Sequence, residues 1–409
     1  MINRTILKEI QLSVKCRPVT LITGARQVGK TTLAKTFIND GFSYVSLDNA
    51  RDRELAISDP SLFLQLHPWP LIIDEVQRAP QLFEAIEESV NKEKLKNEHN
   101  YGMYIITGSQ IYKMMKNVTE SMSGRISIIH MTPLSRNEII QREEKKFDFN
   151  IVDINKRALD NPLSVNDLFQ DIVHGYYPEL YSNELLETER FYSDYVESYI
   201  ERDVSELINI KDKFAFRRFL ELLASLTGQE LIYENIAKLI GVDLKTIKSW
   251  LSILIAGDIV YLLESYSEYS ITKRIVKRPK LYFNDTGLAC YLAKINSYQT
   301  LQTSFLSGRF VETYIINELR KSYLNNGKDA NFYYYRDNKQ NEIDLIIIED
   351  GKMHRIECKS GINYKLSDIK SFKAVEETMY VISTSGIICL TDTTYKLADD
   401  IYVIPLAGI

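Results

Sequence analysis

The sequence predicts an α/β protein: a parallel sheet covered by helices on both faces, then a helical stretch, a helix-turn-helix and a smaller α/β unit. Three observations carry this. Within residues 1–140, short apolar runs alternate with helical patterns, the sequence form of a parallel sheet buried on both sides. The first run ends in a glycine-rich turn that opens directly into a helix. From about Ser307, an amphipathic helix precedes three strand-like runs, another helix and further short strands. A length of 409 residues suits two or three domains.

The elements follow in order. Val19–Thr23 is a continuous β-type run, hence a buried strand, with a helix from about Thr31. Phe42–Leu47, Leu71–Asp74, Tyr104–Thr107 and Arg125–His130 supply four more strands. Residues 141–235 are charged and helical, with no proline between Pro178 and Pro279, and read as a lid and connector. Residues 236–300 hold the helix-turn-helix. Asn235–Ile240 forms its first helix, Gly241-Val242-Asp243 the turn and Leu244–Ala256 the second helix. Ile247, Leu251, Leu254 and Ile255 face inward, and Lys245 and Lys248 outward. Asp258–Leu263 and Lys280–Phe283 are expected to pair as a β-wing, in which Lys273, Arg274, Lys277, Arg278 and Lys280 cluster. Two readings of that basic cluster stay open, a phosphate-binding patch and a solvated or protein-binding surface. Residues 301–409 form the last unit: a helix over Arg309–Leu324, strands over Phe332–Arg336, Glu342–Ile348 and Met353–Lys359, and a helix over Leu366–Glu376.

Composition excludes several classes. A 45% apolar and 26% charged chain has enough apolar surface for several cores and is not a disordered protein. A net charge of −5 is not that of a basic nucleic-acid coat protein, so any DNA contact belongs to a local patch. No run approaches the ~18 apolar residues of a membrane span, and Met1–Thr5 leads into a mixed helix without a signal-peptide block. Cys16, Cys290, Cys358 and Cys389 form no CxxC pair, against a zinc site or disulfide scaffold. The expectation is a soluble protein of a reducing, cytoplasmic compartment.

Gly24-Ala25-Arg26-Gln27-Val28-Gly29-Lys30-Thr31-Thr32 contains G-x-x-x-x-G-K-[ST]. Gly24 and Gly29 let the backbone curl so that successive N–H groups face phosphate oxygens. Lys30 adds a cation at the β- and γ-oxygens, Thr31 a hydroxyl for Mg²⁺, and the helix its positive end. The apolar strand before and the helix after make an accidental glycine turn a poor explanation. Leu71-Ile72-Ile73-Asp74-Glu75 is the partner element. Asp74 is expected to hold Mg²⁺ through water, and Glu75 to orient and deprotonate an attacking water. Ser109, after the fourth strand, is the candidate polar residue near the γ-phosphate. Arg125 is a candidate arginine finger or an ordinary ion-paired arginine, and Arg202 an alternative phosphate sensor.

In the last unit, a hairpin pairing of the two runs brings Asp344 and Glu357 together. Alternation puts Glu357 and Lys359 on one side of their strand. Two carboxylates can hold a metal that activates water, with the lysine stabilising developing charge. Glu312 is the candidate third acidic ligand. The alternative is a sheet edge lined with solvated charges.

Together these residues resemble a family. The marks are Gly24–Thr32, Leu71–Pro80, Thr107-Gly108-Ser109, Gly124-Arg125 with Pro133-Leu134-Ser135, Glu201-Arg202-Asp203, Lys280–Leu288, Asn341–Asp344 and Glu357–Lys359. Over nearly its whole length the chain resembles bacterial and archaeal AAA-type ATPases with a C-terminal domain of restriction-endonuclease-like fold. The resemblance implies a P-loop NTPase core, a winged-helix middle and a nuclease-like end. Glu312, Asp344, Glu357 and Lys359 match the nuclease superfamily's acidic and lysine positions. Cys358 stands where the family more often has an aliphatic residue, and is expected to face away from the site. The combined expectation is a Mg²⁺-dependent ATPase acting on DNA, with a nucleotide-gated switch toward DNA or a protein partner as the alternative. A finger acting between chains would require an oligomer.

Overall fold

The structure is a computed structural model that describes residues 2–96, 100–109, 122–198, 212–267 and 278–409. Its first sheet contains β1 (Val19–Thr23), β2 (Ser43–Ser46), β3 (Leu71–Asp74), β4 (Tyr104–Gly108) and β5 (Ile126–His130). They lie in the order β2-β3-β4-β1-β5, and every pairing is parallel. Successive side chains of a strand point to opposite faces, and here each face has its own core. Val19, Leu21, Leu71, Ile73, Tyr104 and Ile106 pack in one cluster with Leu82, Phe83 and Ile86 of the helix Leu82–Lys94. Ile22, Ile72 and Ile105 join the other. Burial on both faces is why β1, β3 and β4 read as near-continuous apolar runs. The helix after the glycine loop is short. Lys30–Ala34 is α-helical, Lys35–Asp40 tightens to a 3-10 helix, and left-handed Gly41 ends it.

The second face of the sheet is not closed by a private layer. Its cluster runs through Leu168, Phe169 and Ile172 of the helix Val165–His174, then Ile247 and Leu251, and on to Phe310, Tyr314 and Leu319. The units predicted as separate domains therefore share one apolar core.

Tyr233–Ile240 and Leu244–Ala256 form the helix-turn-helix, with left-handed Gly241 in the turn. Asp243 caps the second helix by accepting from the Thr246 amide at 2.8 Å. Ile247, Leu251 and Leu254 are buried as expected, but Ile255 is only half-buried. Trp250 takes the remaining core position, its ring 5.2 Å from Phe216 and 5.4 Å from Phe219. Lys245 and Lys248 are exposed. Three antiparallel strands follow the expected hairpin: β6 (Gln229–Glu230), β7 (Val260–Leu263) and β8 (Lys280–Phe283), in the order β6-β8-β7. Of the basic wing residues, Lys273, Arg274 and Lys277 lie outside the described residues, as do Gln110 and Glu201-Arg202-Asp203. Arg278 is exposed. Lys280 corrects the expectation: its side chain is 1% exposed and turns inward to carboxylates.

The helix Ser307–Leu324 leads into the last sheet. β9 (Phe332–Arg336), β10 (Glu342–Glu349) and β11 (Lys352–Cys358) form an antiparallel meander. β12 (Val381–Ile382), β13 (Ser385–Cys389), β14 (Tyr395–Ala398) and β15 (Ile401–Pro405) complete it. The order is β14-β15-β13-β11-β10-β9, with β12 beside β11. Leu366–Val375 is a 3-10 helix with a kink at Ile369, not an α-helix. Strand Phe332–Arg336 also meets the middle unit, since Tyr334 carbonyl accepts from the Tyr266 amide at 2.6 Å.

The Lys280–Leu288 motif has a structural role. Asp285 is buried and accepts from the Leu288 amide (2.8 Å), the Tyr176 amide (2.7 Å) and the Tyr192 hydroxyl (2.7 Å). It caps the helix Thr286–Leu292 and fastens it to residues 175–192. Gly287 is required by proximity, because a Cβ there would lie 2.8 Å from Gly175 Cα. Asp285→Ala orphans three buried donors and is expected to cost about 3 kcal/mol, measured by denaturant unfolding. A loss below about 1 kcal/mol would contradict this role.

Candidate active site

The loop between β1 and the helix Lys30–Ala34 is shaped by two glycines. Gly24 (φ +141°) leaves room for the Met131 carbonyl, which a Cβ would meet at 2.1 Å. Gly29 (φ +94°) is the left-handed residue that turns the loop into the helix. Ala25 and Val28 are buried, while Arg26, Gln27 and Thr32 line the cavity in front of the loop. Behind it, the Arg4 guanidinium donates to the carbonyls of Val28 (2.8 Å) and Thr132 (2.7 Å) and pairs with Glu138 at 3.1 Å. Sequence reasoning passed over Arg4, since a lone arginine before the first strand carries no spacing signal.

Lys30 is 6% exposed, and its Nζ donates to the carbonyls of Gly24 (3.0 Å) and Ala25 (2.6 Å). Burial pushes its ammonium down to about 8, against the opposing charges of Glu75, Asp258 and Asp74.

Asp74 ends β3 and is 4% exposed. Its Oδ1 accepts from Thr31 Oγ1 at 2.8 Å and from Thr107 Oγ1 at 2.5 Å, and its Oδ2 from the Tyr44 hydroxyl at 3.0 Å. Burial and the Asp74 charge push the Tyr44 phenol up to about 12, so it remains a donor. Glu75 follows at φ +60°, a conformation costly for a residue with a side chain and frequent at functional sites. Its amide donates to Thr107 Oγ1 at 3.3 Å, and its carboxylate accepts from Gln77 Nε2. Ser109 is buried, with its Oγ 3.4 Å from the same Gln77 nitrogen. Thr107, Tyr44 and Gln77 are functional neighbours that the sequence did not single out. Thr107, inside the Thr107-Gly108-Ser109 mark, and Gln77, inside the Leu71–Pro80 mark, had a signal; Tyr44 had none.

Lys30, Thr31, Glu75, Arg26, Arg78 and Glu179 share a cavity of about 460 Å³, of the size that takes a small-molecule ligand. The Thr31 hydroxyl and Asp74 carboxylate are in contact at one edge of the loop, a hard-oxygen pair that fits Mg²⁺.

Arg125 is not brought to this cavity within the chain. It precedes β5, at the end of the sheet opposite the loop, where Val19 pairs with Ile126 and Thr23 with His130. Its Nε donates to Asn91 Oδ1 at 2.8 Å, and its Nη1 lies 3.4 Å from Glu87. A finger acting on the loop of its own chain is excluded by this placement.

The C-terminal carboxylates converge in part. Leu345 pairs with Ile356, so Asp344 and Glu357 stand opposite each other one position further on. Lys359 Nζ lies 2.7 Å from Glu357 Oε2 and 3.4 Å from Asp344 Oδ2. Burial pushes Asp344 up, but Lys359, Lys280 and the Cys358 amide outweigh it and hold this carboxyl below its ordinary value. Burial and then the Asp344 charge push Glu357 up to about 8. Glu312 is turned elsewhere. It accepts from Lys280 Nζ at 2.9 Å and from the Tyr282 hydroxyl at 2.6 Å, and Lys280 also pairs with Glu342 at 2.6 Å. Burial pushes Glu312 up to about 7. Among the described residues no group of three or more acidic, histidine or cysteine side chains could hold a metal ion. Glu312 is therefore not gathered with Asp344 and Glu357 as the expected third ligand, its carboxylate being held by Lys280 and Tyr282.

Comparison with known proteins follows this division. Residues 16–140 match the AAA domain, and residues 165–299 and 307–409 each match a domain of unknown function (DUF8612 and DUF4143). Two uncharacterized proteins, of Mycobacterium bovis and Mycobacterium tuberculosis, are each 25% identical over 344 residues, covering 84% of this chain and 70% of theirs. Among solved structures, a Walker-type ATPase of Pyrococcus abyssi is 14% identical with a TM-score of 0.43, covering 71% of this chain and 96% of that one. RuvB of Thermotoga maritima is 16% identical with a TM-score of 0.31, covering 63% and 88%. The AAA-domain match and the loop geometry make the first unit an AAA-type P-loop ATPase domain. Among the described residues, no helix is long and apolar enough to cross a membrane.

The loop lysine sets a pH dependence. With its value near 8 it is charged below that pH and neutral above it. Phosphate oxygens attract only the charged form. Affinity for a non-hydrolysable ATP analogue is expected to be flat below neutrality and to fall up to about tenfold per pH unit above 8. Calorimetric titration across that range checks this, and a flat affinity through alkaline pH would contradict it.

Proposed function

We propose that this chain is a Mg²⁺-dependent ATPase that acts on DNA through its middle unit. The observation that carries the reading is the convergence of Lys30, Thr31 and Glu75 on one cavity, with Asp74 bonded to Thr31 at its edge. Lys30 and the loop amides hold the β- and γ-phosphates. Thr31, and Asp74 through water, would hold Mg²⁺, which when bound would neutralise charge on the phosphoryl oxygens. Glu75 takes the proton of the attacking water, and Thr107 fixes Asp74 and the Glu75 turn together. Ser109, 3.4 Å from Gln77 Nε2, is the polar residue offered to the γ-phosphate. Arg125 serves as a finger only between copies, in an oligomer.

The helix-turn-helix with its β7–β8 hairpin supports a winged helix, and exposed Lys245, Lys248 and Arg278 support contact with nucleic-acid phosphates. The helix Ser307–Leu324, the β9–β10–β11 meander and the parallel β11–β13 pair support a restriction-endonuclease-like unit. A second reading is a nucleotide-gated switch that binds DNA or a protein partner without cleavage. One observation favours it: Glu312, Glu342, Asp344 and Glu357 are all paired with lysines of the chain.

Lys30→Ala is expected to abolish tight binding of ATP in a direct titration, and unchanged binding would remove the loop from the account. Plasmid and linear DNA, incubated with Mg²⁺ or Mn²⁺ with and without ATP, separate the two readings. Cleavage by the wild type but not by Asp344→Ala establishes a nuclease. No cleavage, with slow ATP turnover that DNA does not stimulate, favours the switch.

A further inference from the structure

The turn that leaves the second helix of the helix-turn-helix carries Asp258 at φ +56°. It is pinned on both sides. The Asp258 amide donates to the Ile255 carbonyl at 3.0 Å, and its carbonyl accepts from Asn284 Nδ2 at 2.8 Å. Asn284 is held in turn by Arg320 at 3.0 Å. The Asp258 side chain leaves its own unit and reaches the ATPase sheet, where Oδ1 lies 3.2 Å from His130 Nε2. Its other oxygen is buried with no hydrogen-bond partner among the described residues. Such a group is costly and calls for a reason.

His130 ends β5 and is the register partner of Thr23, the residue before Gly24. The next residue, Met131, donates to the Thr23 carbonyl at 2.7 Å, and its own carbonyl occupies the space that Gly24 leaves open. A carboxylate supplied by the helix-turn-helix is thereby seated directly behind the phosphate loop. Its charge acts on the Lys30 ammonium alongside that of Glu75. A triphosphate competes for that ammonium and repels the carboxylate. Because the turn is pinned, a force on Asp258 passes to the helix Leu244–Ala256 and to Asn284.

We propose that Asp258 is a positioning residue that couples occupancy of the phosphate loop to the pose of the helix-turn-helix. The proposal rests on the nucleotide-gated reading above and names the group through which it works. Asp258→Asn removes the charge, keeps an acceptor for His130 and tolerates positive φ. His130→Ala does the opposite, leaving the carboxylate without its imidazole partner.

The test uses the full chain, a non-hydrolysable ATP analogue, ADP, and hydrogen exchange of residues 244–263. Asp258→Asn is expected to bind the analogue about fivefold tighter and ADP about twofold tighter, the charge effect growing with phosphate number. His130→Ala is expected to weaken analogue binding. Nucleotide changes exchange in 244–263 of the wild type, and no longer does so in Asp258→Asn at equal saturation. Affinity shifts of the same sign in both variants, or an unchanged exchange response, overturn the coupling role. A wild type that binds no analogue overturns the nucleotide reading and the coupling with it, whereas binding without either response overturns the coupling alone.

Discussion

The first unit depends on the Asp74 carboxylate. It is almost wholly buried, and it is tolerated there because hydroxyls from three other elements point at it. Thr31 brings the phosphate loop, Tyr44 brings β2, and Thr107 brings β4. One charge therefore sets the separation between the loop and the strand that carries Glu75. The parallel sheet makes this possible, because β2, β3 and β4 all end on the same side as the loop. Remove the carboxylate and each hydroxyl loses the acceptor that orients it.

Much of this was legible in the chain. Strand Leu71–Asp74 was read to the residue, because burial on both faces writes an unbroken apolar run and the carboxylates mark where it leaves the core. The glycine loop was legible because its backbone shape leaves few residue choices. The illegible part is partnership across long separations. Nothing near Lys280 says that it will be buried against Glu312 and Glu342, and in sequence it belongs to a basic run. Nothing near Glu312 says that Tyr282 and Lys280 will occupy it before any metal does. Arg125 reads more readily as an ordinary ion-paired arginine than as a finger, and only the strand direction places it at the far end of the sheet.

The same limit explains why domain boundaries drawn from composition miss how the units are joined. The apolar layer on one face of the first sheet continues through residues 165–180 and the helix-turn-helix to the helix Ser307–Leu324. Side-chain pairs cross the same seams: His130 with Asp258, Lys280 with Glu312. A shared core with side-chain cross-links transmits displacement better than a linker does.

The central claim is that the Asp74–Thr31 contact is a metal site for a bound nucleotide. The most direct measurement is the affinity of ATP with and without Mg²⁺ for the wild type and Asp74→Asn. The account predicts that Mg²⁺ strengthens binding to the wild type by about tenfold or more, and that the Asn variant loses this gain while still binding metal-free ATP. An Asn variant in which Mg²⁺ strengthens binding as much as in the wild type would contradict it.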